Sequence, residues 1–281
     1  MSNVSMTAAS LRNEVFAGNR AIGQIALAVA AGSGRSRPAR LHESGSLRVR
    51  FPHRDGRVLD AVIVNTAGGM TGGDRFDLDI DVAAGAELSV TTAAAEKIYR
   101  TLGPETVLDV NLTVGAGGAL AWLPQETILF DRARLRRKID VDLAADASLL
   151  VAEASIFGRS AMGETVVSGC FFDCWRVRIG GALVYADSIR LDGGIAQSLT
   201  ERAIAAGGAA VASVVKIPGN EDHVAAVRAL QQDLIGEVGA SAWNGLVAVR
   251  CVAGNGAALR SDLVSVLTVL GSGPLPRLWL N

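Results

Sequence analysis

Three stretches of this sequence repeat one pattern: Val82–Thr92 (VAAGAELSVTT), Val114–Pro124 (VGAGGALAWLP) and Leu143–Glu153 (LAADASLLVAE). In each stretch one apolar segment ends, a short turn of small residues that include Gly or Asp follows, and a second apolar segment begins at a leucine. The copies follow at roughly 30-residue intervals, which is typical of units that bury their apolar faces by stacking. Three ordinary hairpins would also produce the pattern, but the repeat favours a stacked β fold.

Alternating apolar segments on both sides of the repeats predict further strands. The predicted strands are Ala26–Val29, Leu47–Phe51, Val58–Val64, Phe76–Val82, Leu88–Thr92, Val107–Val114, Leu120–Leu123, Ile139–Leu143, Leu149–Ala152, Val166–Val177 and Leu183–Leu191. The Gly-rich segment from Gly32 to Pro38 is predicted as a loop between the first two strands. The fold class is therefore predicted as mainly β, a stacked, helix-like arrangement of many short β-strands.

The last third of the chain has a different pattern. Asn220–Asp222 is a helix N-cap signal, and apolar residues at helical spacing follow it through Ile235. A strand at Leu246–Val252 and a second helix at Ala257–Leu270 complete a small α+β C-terminal part with about two helices. We expect residues 1–18 to form a flexible N-terminal arm and residues 19–281 to form a single domain. Its β body spans about 19–200 and its α+β cap about 201–281.

Composition and charge exclude several functional classes. The 281 residues include 27 Lys plus Arg and 28 Asp plus Glu, a net charge of −1 that does not fit a nucleic-acid partner. No apolar run approaches the ~18 residues of a membrane-spanning helix. Three cysteines are too few for a disulfide scaffold and favour a reducing compartment. We therefore expect a cytoplasmic protein without membrane or nucleic-acid partners.

Signatures of familiar active sites are missing from the sequence. There is no P-loop, and the lysines are Lys97, Lys138 and Lys216 alone. The Gly-x-Ser-x-Gly, His-Glu-x-x-His and Cys-x-x-Cys patterns are absent as well. The three histidines are scattered, which disfavours a His-rich metal site. These observations argue against an enzyme with its own nucleophile and base.

The densest motif is Asn65–Asp74 (NTAGGMTGGD). Its two glycine pairs, Gly68–Gly69 and Gly72–Gly73, permit a positive φ or the close approach of another chain segment. As a phosphate cradle the motif is weak, because no Lys follows and no helix pattern opens after it. A wide turn between two strands explains the residues equally well.

Two acidic motifs follow the repeats, Trp122–Arg132 (WLPQETILFDR) and Glu153–Glu164 (EASIFGRSAMGE). If the rungs stack, Glu126 and Glu153 leave neighbouring layers at similar positions. A line of carboxylates inside a β stack would suit a divalent cation or a water-lined path. A solvated rim of acids paired with arginines is the simpler alternative.

An enzymatic alternative uses the same acids. Glu126, Asp131 and Glu153 would serve as acid–base groups in a β-helix-like carbohydrate-active hydrolase or lyase. Sugar-binding grooves usually present exposed Trp and Tyr, and this chain has only 4 Trp and 2 Tyr. The low aromatic content therefore disfavours this alternative.

Taken together, the motifs resemble the urease accessory protein UreD family, called UreH in some organisms. The resemblance runs in order from about Arg20 to the C-terminus, and Asn65–Ala67 is its main departure, where many members carry Pro-Pro. It rests on Thr66–Asp74, Thr91–Thr92, Glu96–Arg100, Leu123–Asp131, Gly158–Arg159, Met162–Glu164, Asp187–Gly193 and Leu275–Leu280.

The resemblance implies a non-enzymatic scaffold, or chaperone, with a body of stacked β-strands. Family members bind the urease apoprotein and UreF, recruit the GTPase UreG through UreF, and help deliver nickel to urease. The resemblance therefore implies that no cofactor is tightly bound and that nickel is in transit. Acids of the family motifs map to a candidate nickel path at Asp74, Glu153, Glu164 and Asp187.

A basic run lies between the two acidic motifs. Arg134, Arg136, Arg137 and Lys138 are candidates for contact with an acidic partner. A solvated strand edge is the commoner explanation for such a run.

Overall fold

The computed structural model describes residues 20–53 and 55–280, so the predicted arm at 1–18 lies outside the described residues. The strands are β1 Ile22–Ala30, β2 Arg37–Ser44, β3 Leu47–Arg50, β4 Leu59–Asn65, β5 Arg75–Val82, β6 Glu87–Thr92, β7 Glu96–Ile98, β8 Thr106–Val114, β9 Ala119–Trp122, β10 Thr127–Leu129, β11 Arg134–Leu143, β12 Ser148–Phe157, β13 Gly169–Ile179, β14 Ala182–Gly193, β15 Ala210–Ile217, β16 Glu237–Trp243 and β17 Leu246–Ala253. The helices are α1 Ile195–Thr200, α2 Glu221–Ala229 and α3 Gly256–Leu270.

The strands form two sheets. The first sheet has the order β14-β13-β11-β8-β5-β1-β2, with five parallel strands in the middle and an antiparallel strand at each edge. The second sheet has the order β16-β17-β15-β12-β9-β6-β4-β3, and the short strands β7 and β10 pair beside β12. The predicted mainly β, stacked architecture is confirmed.

The three repeated stretches are the tight turns by which the chain passes from the first sheet to the second. They lead from β5 to β6, from β8 to β9 and from β11 to β12. The leucines that open the second strands, Leu88, Leu120 and Leu149, lie side by side across the parallel strands and are at most 2% exposed. Burying a leucine contributes about 1.5–3 kcal/mol, so this row stabilises every rung against its neighbours.

The main core fills the space between the two sheets. Along β1, β5 and β11 alternate residues face inward, as in β11, where Leu135, Ile139 and Val141 are at most 1% exposed. The opposite face of the first sheet carries charged side chains. This alternation is typical of a sheet with one buried face.

The last third contributes strands to the second sheet rather than a sheet of its own. Strand β15 pairs with β12, and β17 and β16 continue the sheet outward. A second apolar cluster lies on the outer face of this sheet, where Leu259 and Leu263 of α3 pack beside Trp279 of the C-terminal segment. The predicted α+β part is present, and its strands are continuous with the β body. No helix among the described residues is long and apolar enough to cross a membrane.

The sequence expectations differ from the structure at several elements. Each predicted strand overlaps an observed one, but β2, β7, β10, β15 and β16 and the short helix α1 were not predicted. The loop predicted from Gly32 is shorter than expected, because β2 begins at Arg37. The helix predicted through Ile235 ends at Ala229. The carboxylate of Asp262 accepts the backbone N–H groups of residues 235 and 236, which holds that segment outside the helix.

Candidate functional site

A buried arginine lies between the two sheets. Arg137 occupies an inward position of β11, and its side chain is 1% exposed. Its guanidinium donates to both carboxylate oxygens of Asp173, with Nε–Oδ1 at 3.0 Å and Nη2–Oδ2 at 2.7 Å, and to Oε2 of Glu153. One cation therefore faces two carboxylates, and the cluster is net negative when both acids are ionised.

Uncharged side chains complete this cluster by hydrogen bonding. Trp122 Nε1 donates to Glu153 Oε1 at 2.9 Å, Trp175 Nε1 donates to Asp173 Oδ1 at 3.1 Å, and the hydroxyls of Thr127 and Ser155 accept from Arg137 at 3.3 and 3.4 Å. Buried charges are tolerated only when they are paired and hydrogen-bonded, and this cluster meets both conditions.

Burial dominates the ionisation of the cluster. Desolvation raises the pKa of Glu153 above its usual range, because it outweighs the nearby charge of Arg137 and the indole of Trp122. Desolvation also opposes the charge of Arg137, but the carboxylates of Asp173 and Glu153 more than offset it and raise its pKa. The cluster thus keeps a permanent cation, while Glu153 takes up a proton more readily than a solvated acid does.

Further polar side chains connect this cluster to the open side of the fold. Ser213 lies opposite Glu153 across the β12–β15 pair, and Arg250 lies opposite Ser213 across the β15–β17 pair. Arg250 donates to the Ser213 hydroxyl and forms an ion pair with Asp187 of β14. The hydroxyl of Tyr185 donates to the same carboxylate at 3.1 Å. We name the set the polar seam: Arg137, Asp173, Glu153, Ser213, Arg250 and Asp187.

The polar seam ends at a cavity of about 490 Å³ that opens to solvent. Asp187, Ser213 and Arg250 line its polar side, and Phe157 and Leu199 belong to its apolar wall. The seam therefore runs from a fully buried charge cluster to the surface. Chemically, it offers carboxylate and hydroxyl oxygens to a cation or to water, with an arginine beside each group of acids.

Two of the four candidate path acids lie on the polar seam, Glu153 and Asp187. The other two lie elsewhere, each with its own partner. Asp74 accepts the backbone N–H groups of Ala21 at 2.9 Å and Thr71 at 2.7 Å. No group of three or more His, Cys, Asp or Glu side chains is arranged to hold a metal ion within residues 20–53 and 55–280.

Glu164, the fourth candidate acid, closes a small loop after β12. Its Oε2 lies 2.6 Å from Nε of Arg159, and the two residues also pair through their backbones. The carboxylate thus holds the loop together at the surface.

The three acids of the hydrolase alternative do not share a site. Thr127 pairs with Ser155, so Glu126 is one residue out of register with Glu153. Because successive side chains along a strand face opposite sides, Glu126 and Glu153 face opposite sides of the sheet. The Oε1 of Glu126 accepts from Nη1 of Arg260 at 2.8 Å. Asp131 accepts the backbone N–H groups of residues 167 and 168. The expectation that Glu126 and Glu153 occupy similar positions in the stack is therefore wrong.

Comparison with known proteins identifies the family. The family model described as "UreD urease accessory protein" matches residues 21–280. This chain belongs to the UreD urease accessory protein family. It is 55% identical over 267 residues to urease accessory protein UreD of Rhodopseudomonas palustris strain HaA2, covering 95% of this chain and 96% of the relative. It is also 50% identical over 272 residues to urease accessory protein UreD of Bradyrhizobium diazoefficiens, covering 97% and 98%.

The family match confirms the resemblance that the sequence motifs indicated. The matched residues include both sheets, the polar seam and the C-terminal segment. A second relative from Rhodopseudomonas palustris, strain BisA53, is 53% identical over 267 residues, 95% of this chain and 93% of the relative.

The glycine motif of this UreD family member forms the loop between β4 and β5. At Gly72 a Cβ atom would lie 2.1 Å from Oγ1 of Thr101 and 2.3 Å from the carbonyl oxygen of Pro104. At Gly69 it would lie 2.5 Å from the ring of Tyr99. The loop therefore packs directly on the next rung. Close approach accounts for Gly69 and Gly72, and a positive φ accounts for Gly68 and Gly73.

The basic run of this UreD family member divides between the two faces of β11. Arg134, Arg136 and Lys138 lie on the outer face of the first sheet. Arg137 faces inward and is almost completely buried, so it is not part of a contact surface. The four residues share a charge but not a face of the strand, so the prediction of a partner contact is wrong for Arg137.

Several residues of the polar seam were missed by the sequence analysis. Asp173, Ser213 and Arg250 carried no motif that distinguished them. A signal was nevertheless present in β11 and β13, because Arg137 and Asp173 stand at positions whose alternate neighbours are apolar. A charged residue in the buried phase of a strand indicates an internal ion pair.

Proposed function

We propose that this chain is a scaffold, or chaperone, in urease maturation. It binds the urease apoprotein and UreF, recruits the GTPase UreG through UreF, and passes nickel toward the urease active site. The observation that carries the proposal is the UreD family match over residues 21–280. The relatives are named accessory proteins, which supports a non-catalytic role. A cytoplasmic location is part of the proposal and agrees with three free, buried cysteines.

The polar seam supports passage of nickel rather than storage. A divalent ion held by His and Cys ligands is released slowly, because Ni(II) binds such ligands tightly. Along the seam, Arg137 and Arg250 already form ion pairs with Glu153 and Asp187. Each arginine therefore competes with a passing cation for the carboxylate. Weak, exchangeable contacts of this kind suit cargo in transit, with no tightly bound cofactor.

Complex formation tests the scaffold role. The purified chain is mixed with urease apoprotein, with UreF, with UreG, or with UreF and UreG together, and each mixture is analysed by size-exclusion chromatography with light scattering. We expect a stable complex that contains this chain together with each partner, and retention of UreG only when UreF is present. A chain that elutes alone from every mixture would refute the scaffold role.

The carboxylate of Asp187 tests the path. Asp187→Asn keeps the side chain's shape and its acceptor for Tyr185 but removes the charge at the mouth of the polar seam. We expect the nickel-dependent activation of urease to fall several-fold and at most about tenfold. A tenfold loss corresponds to a contact worth about 1.4 kcal/mol. Binding of UreF should not change.

The control for this variant is Asp192→Asn. Asp192 lies on the same strand, but its side chain is 51% exposed and pairs with the exposed Arg190. Activation should remain at the unmodified level in the control. Equal activation by the Asp187 and Asp192 variants would remove Asp187 from the path.

A further inference from the structure

The loops at one end of the β stack form a continuous surface. They follow β7, β10 and β12, and backbone hydrogen bonds join each to the next. The N–H of Thr101 donates to the carbonyl of Arg132 at 3.1 Å, and the N–H of Arg132 donates to the carbonyl of Ser168 at 2.8 Å. Residues far apart in sequence are therefore held side by side. We name six of them the rung-end surface: Tyr99, Arg100, Leu102, Arg132, Met162 and Val167.

Large apolar side chains project from this surface. Leu102 is 96% exposed, Met162 72%, Val167 62% and Tyr99 37%. Single exposed apolar residues are ordinary on a protein surface. Here two lie on the loop after β7 and two on the loop after β12, with the hydrogen-bonded loop of Arg132 between them, and such groups mark interaction sites.

Aromatic and cationic contacts brace the same loops. The rings of Tyr99 and Phe130 meet edge to face with centroids 5.0 Å apart, and the Arg159 guanidinium lies 4.1 Å above the Phe130 ring. The Tyr99 hydroxyl also donates to the carbonyl of Gly68 at 3.1 Å. Tyrosine and arginine dominate binding hot spots, and side chains that are already ordered lose little entropy on binding.

The charge at this end of the stack is positive. Arg132 pairs with Asp131 at 3.7 Å and Arg159 pairs with Glu164 at 2.6 Å. Lys97 and Arg100 are exposed beside these pairs and add two positive charges. The chain as a whole has a net charge of −1, so this excess is local.

Arg132 also has an unusual backbone conformation. Its φ is +64°, in the left-handed region that a residue with a side chain rarely adopts. Hydrogen bonds to the loops on either side hold it there. Strain of this kind is retained where the surrounding structure requires it, and it often accompanies a functional position.

We infer that the rung-end surface is a docking site for a protein partner whose contact face has an apolar centre and an acidic rim. The inference rests on the proposed function, since it assigns a place on this chain to one of the proposed partners. The exposed leucine, methionine and valine side chains would enter the apolar centre, and Arg100 and Arg132 would meet the acidic rim. Opposite charges of this kind mainly speed association and set orientation.

Two double variants test the two components of the surface separately. Arg100→Glu with Arg132→Glu reverses the charge, and Leu102→Ser with Met162→Ser removes the apolar contacts. Arg40→Glu and Leu183→Ser are the matched controls, since both residues are exposed and lie away from the loops. Circular dichroism verifies that each variant is folded. The probes are purified urease apoprotein and purified UreF, whose dissociation constants are measured by biolayer interferometry at low and moderate salt.

We expect both double variants to weaken binding of one of these two proteins by about tenfold or more, and the controls to bind like the unmodified chain. The charge-reversal variant should also lose the salt dependence of that binding. Unchanged binding of both proteins, or equal loss of both, would overturn the inference. The charge-reversal variant could instead lose binding to phosphatidylserine vesicles and still bind both proteins. That result would overturn the inference in favour of a membrane site. An unmodified chain that binds neither protein would instead refute the proposed function itself.

Discussion

Arg137 stands where alternation along a strand calls for an apolar side chain. Leu135 and Ile139 flank it in the inward phase of β11, and all three are buried. The sequence therefore contained enough information to place this arginine inside. The carboxylates that bind it come from β12 and β13, and only the stacking of the strands brings them together. Burial of Arg137 was predictable, whereas the identity of its partners was not.

Removing this buried cation should destabilise the fold. Arg137→Met keeps an unbranched side chain but removes the guanidinium, which leaves Glu153 and Asp173 buried without a counter-charge. We expect the free energy of unfolding to fall by about 3–5 kcal/mol, measured by urea denaturation. The control Arg136→Met changes an arginine on the outer face of the same strand and should cost about 1 kcal/mol or less. Equal losses in the two variants would contradict the assignment of Arg137 to a buried ion pair.

Glu96 should make stability depend on pH. Burial raises its pKa from 4.5 to about 7, although Asn65 donates to both carboxylate oxygens at 3.0 and 3.1 Å. The folded chain therefore holds this proton more tightly than the unfolded chain does. The resulting stabilisation is complete below a pH of about 4.5 and is lost as the pH rises through about 7.

The variant Glu96→Gln cannot titrate and isolates this effect. Between about pH 5.5 and about pH 8, the unmodified chain should lose up to about 2 kcal/mol more unfolding free energy than the variant. Urea denaturation at both pH values measures the difference. Glu201→Gln, at an exposed acid after α1, should retain the pH dependence of the unmodified chain. An equal pH dependence of the unfolding free energy in Glu96→Gln and in the unmodified chain would show that another group is responsible.

At the scale of the element, the repeated turns were the most informative part of the sequence. The row of Leu88, Leu120 and Leu149 follows directly from their equal positions in the three repeats. Elements defined by distant contacts were less predictable. Strand β2 is exposed along most of its length and has little alternation. The helix α2 ends before Ile235, whose backbone is bound instead by Asp262, far along the chain.

The glycine loop should be sensitive at one position in particular. A methyl group at Gly72 would meet the backbone of the neighbouring loop at 2.3 Å, so one of the loops would have to move. We expect Gly72→Ala to lower the free energy of unfolding by about 1–3 kcal/mol. In Gly103→Ala the nearest atom lies 3.7 Å from the new Cβ, and the change should stay within about 0.5 kcal/mol. Thermal denaturation of both variants decides the matter, and an equal effect would contradict the close packing of the loops.

At the scale of the whole molecule, the outer faces of the two sheets differ in character. The outer face of the second sheet is covered in part by α2, α3 and the C-terminal segment, which form their own apolar cluster. The outer face of the first sheet carries alternating charges, and the polar seam lies between the two sheets. Partner contacts at the rung-end surface would leave the seam and its cavity intact. Such a division of surface and interior suits a scaffold that binds proteins outside and passes an ion within.

Reconstituted urease activation tests the central claim most directly. Urease apoprotein, UreF, UreG, GTP and nickel are combined with and without this chain, and urea hydrolysis is followed with time. The proposed role predicts that activity develops to a high level only when the chain is present, and that the Arg40→Glu control supports it equally well. Activation at the same rate and to the same level without the chain would contradict the proposal that it acts in urease maturation.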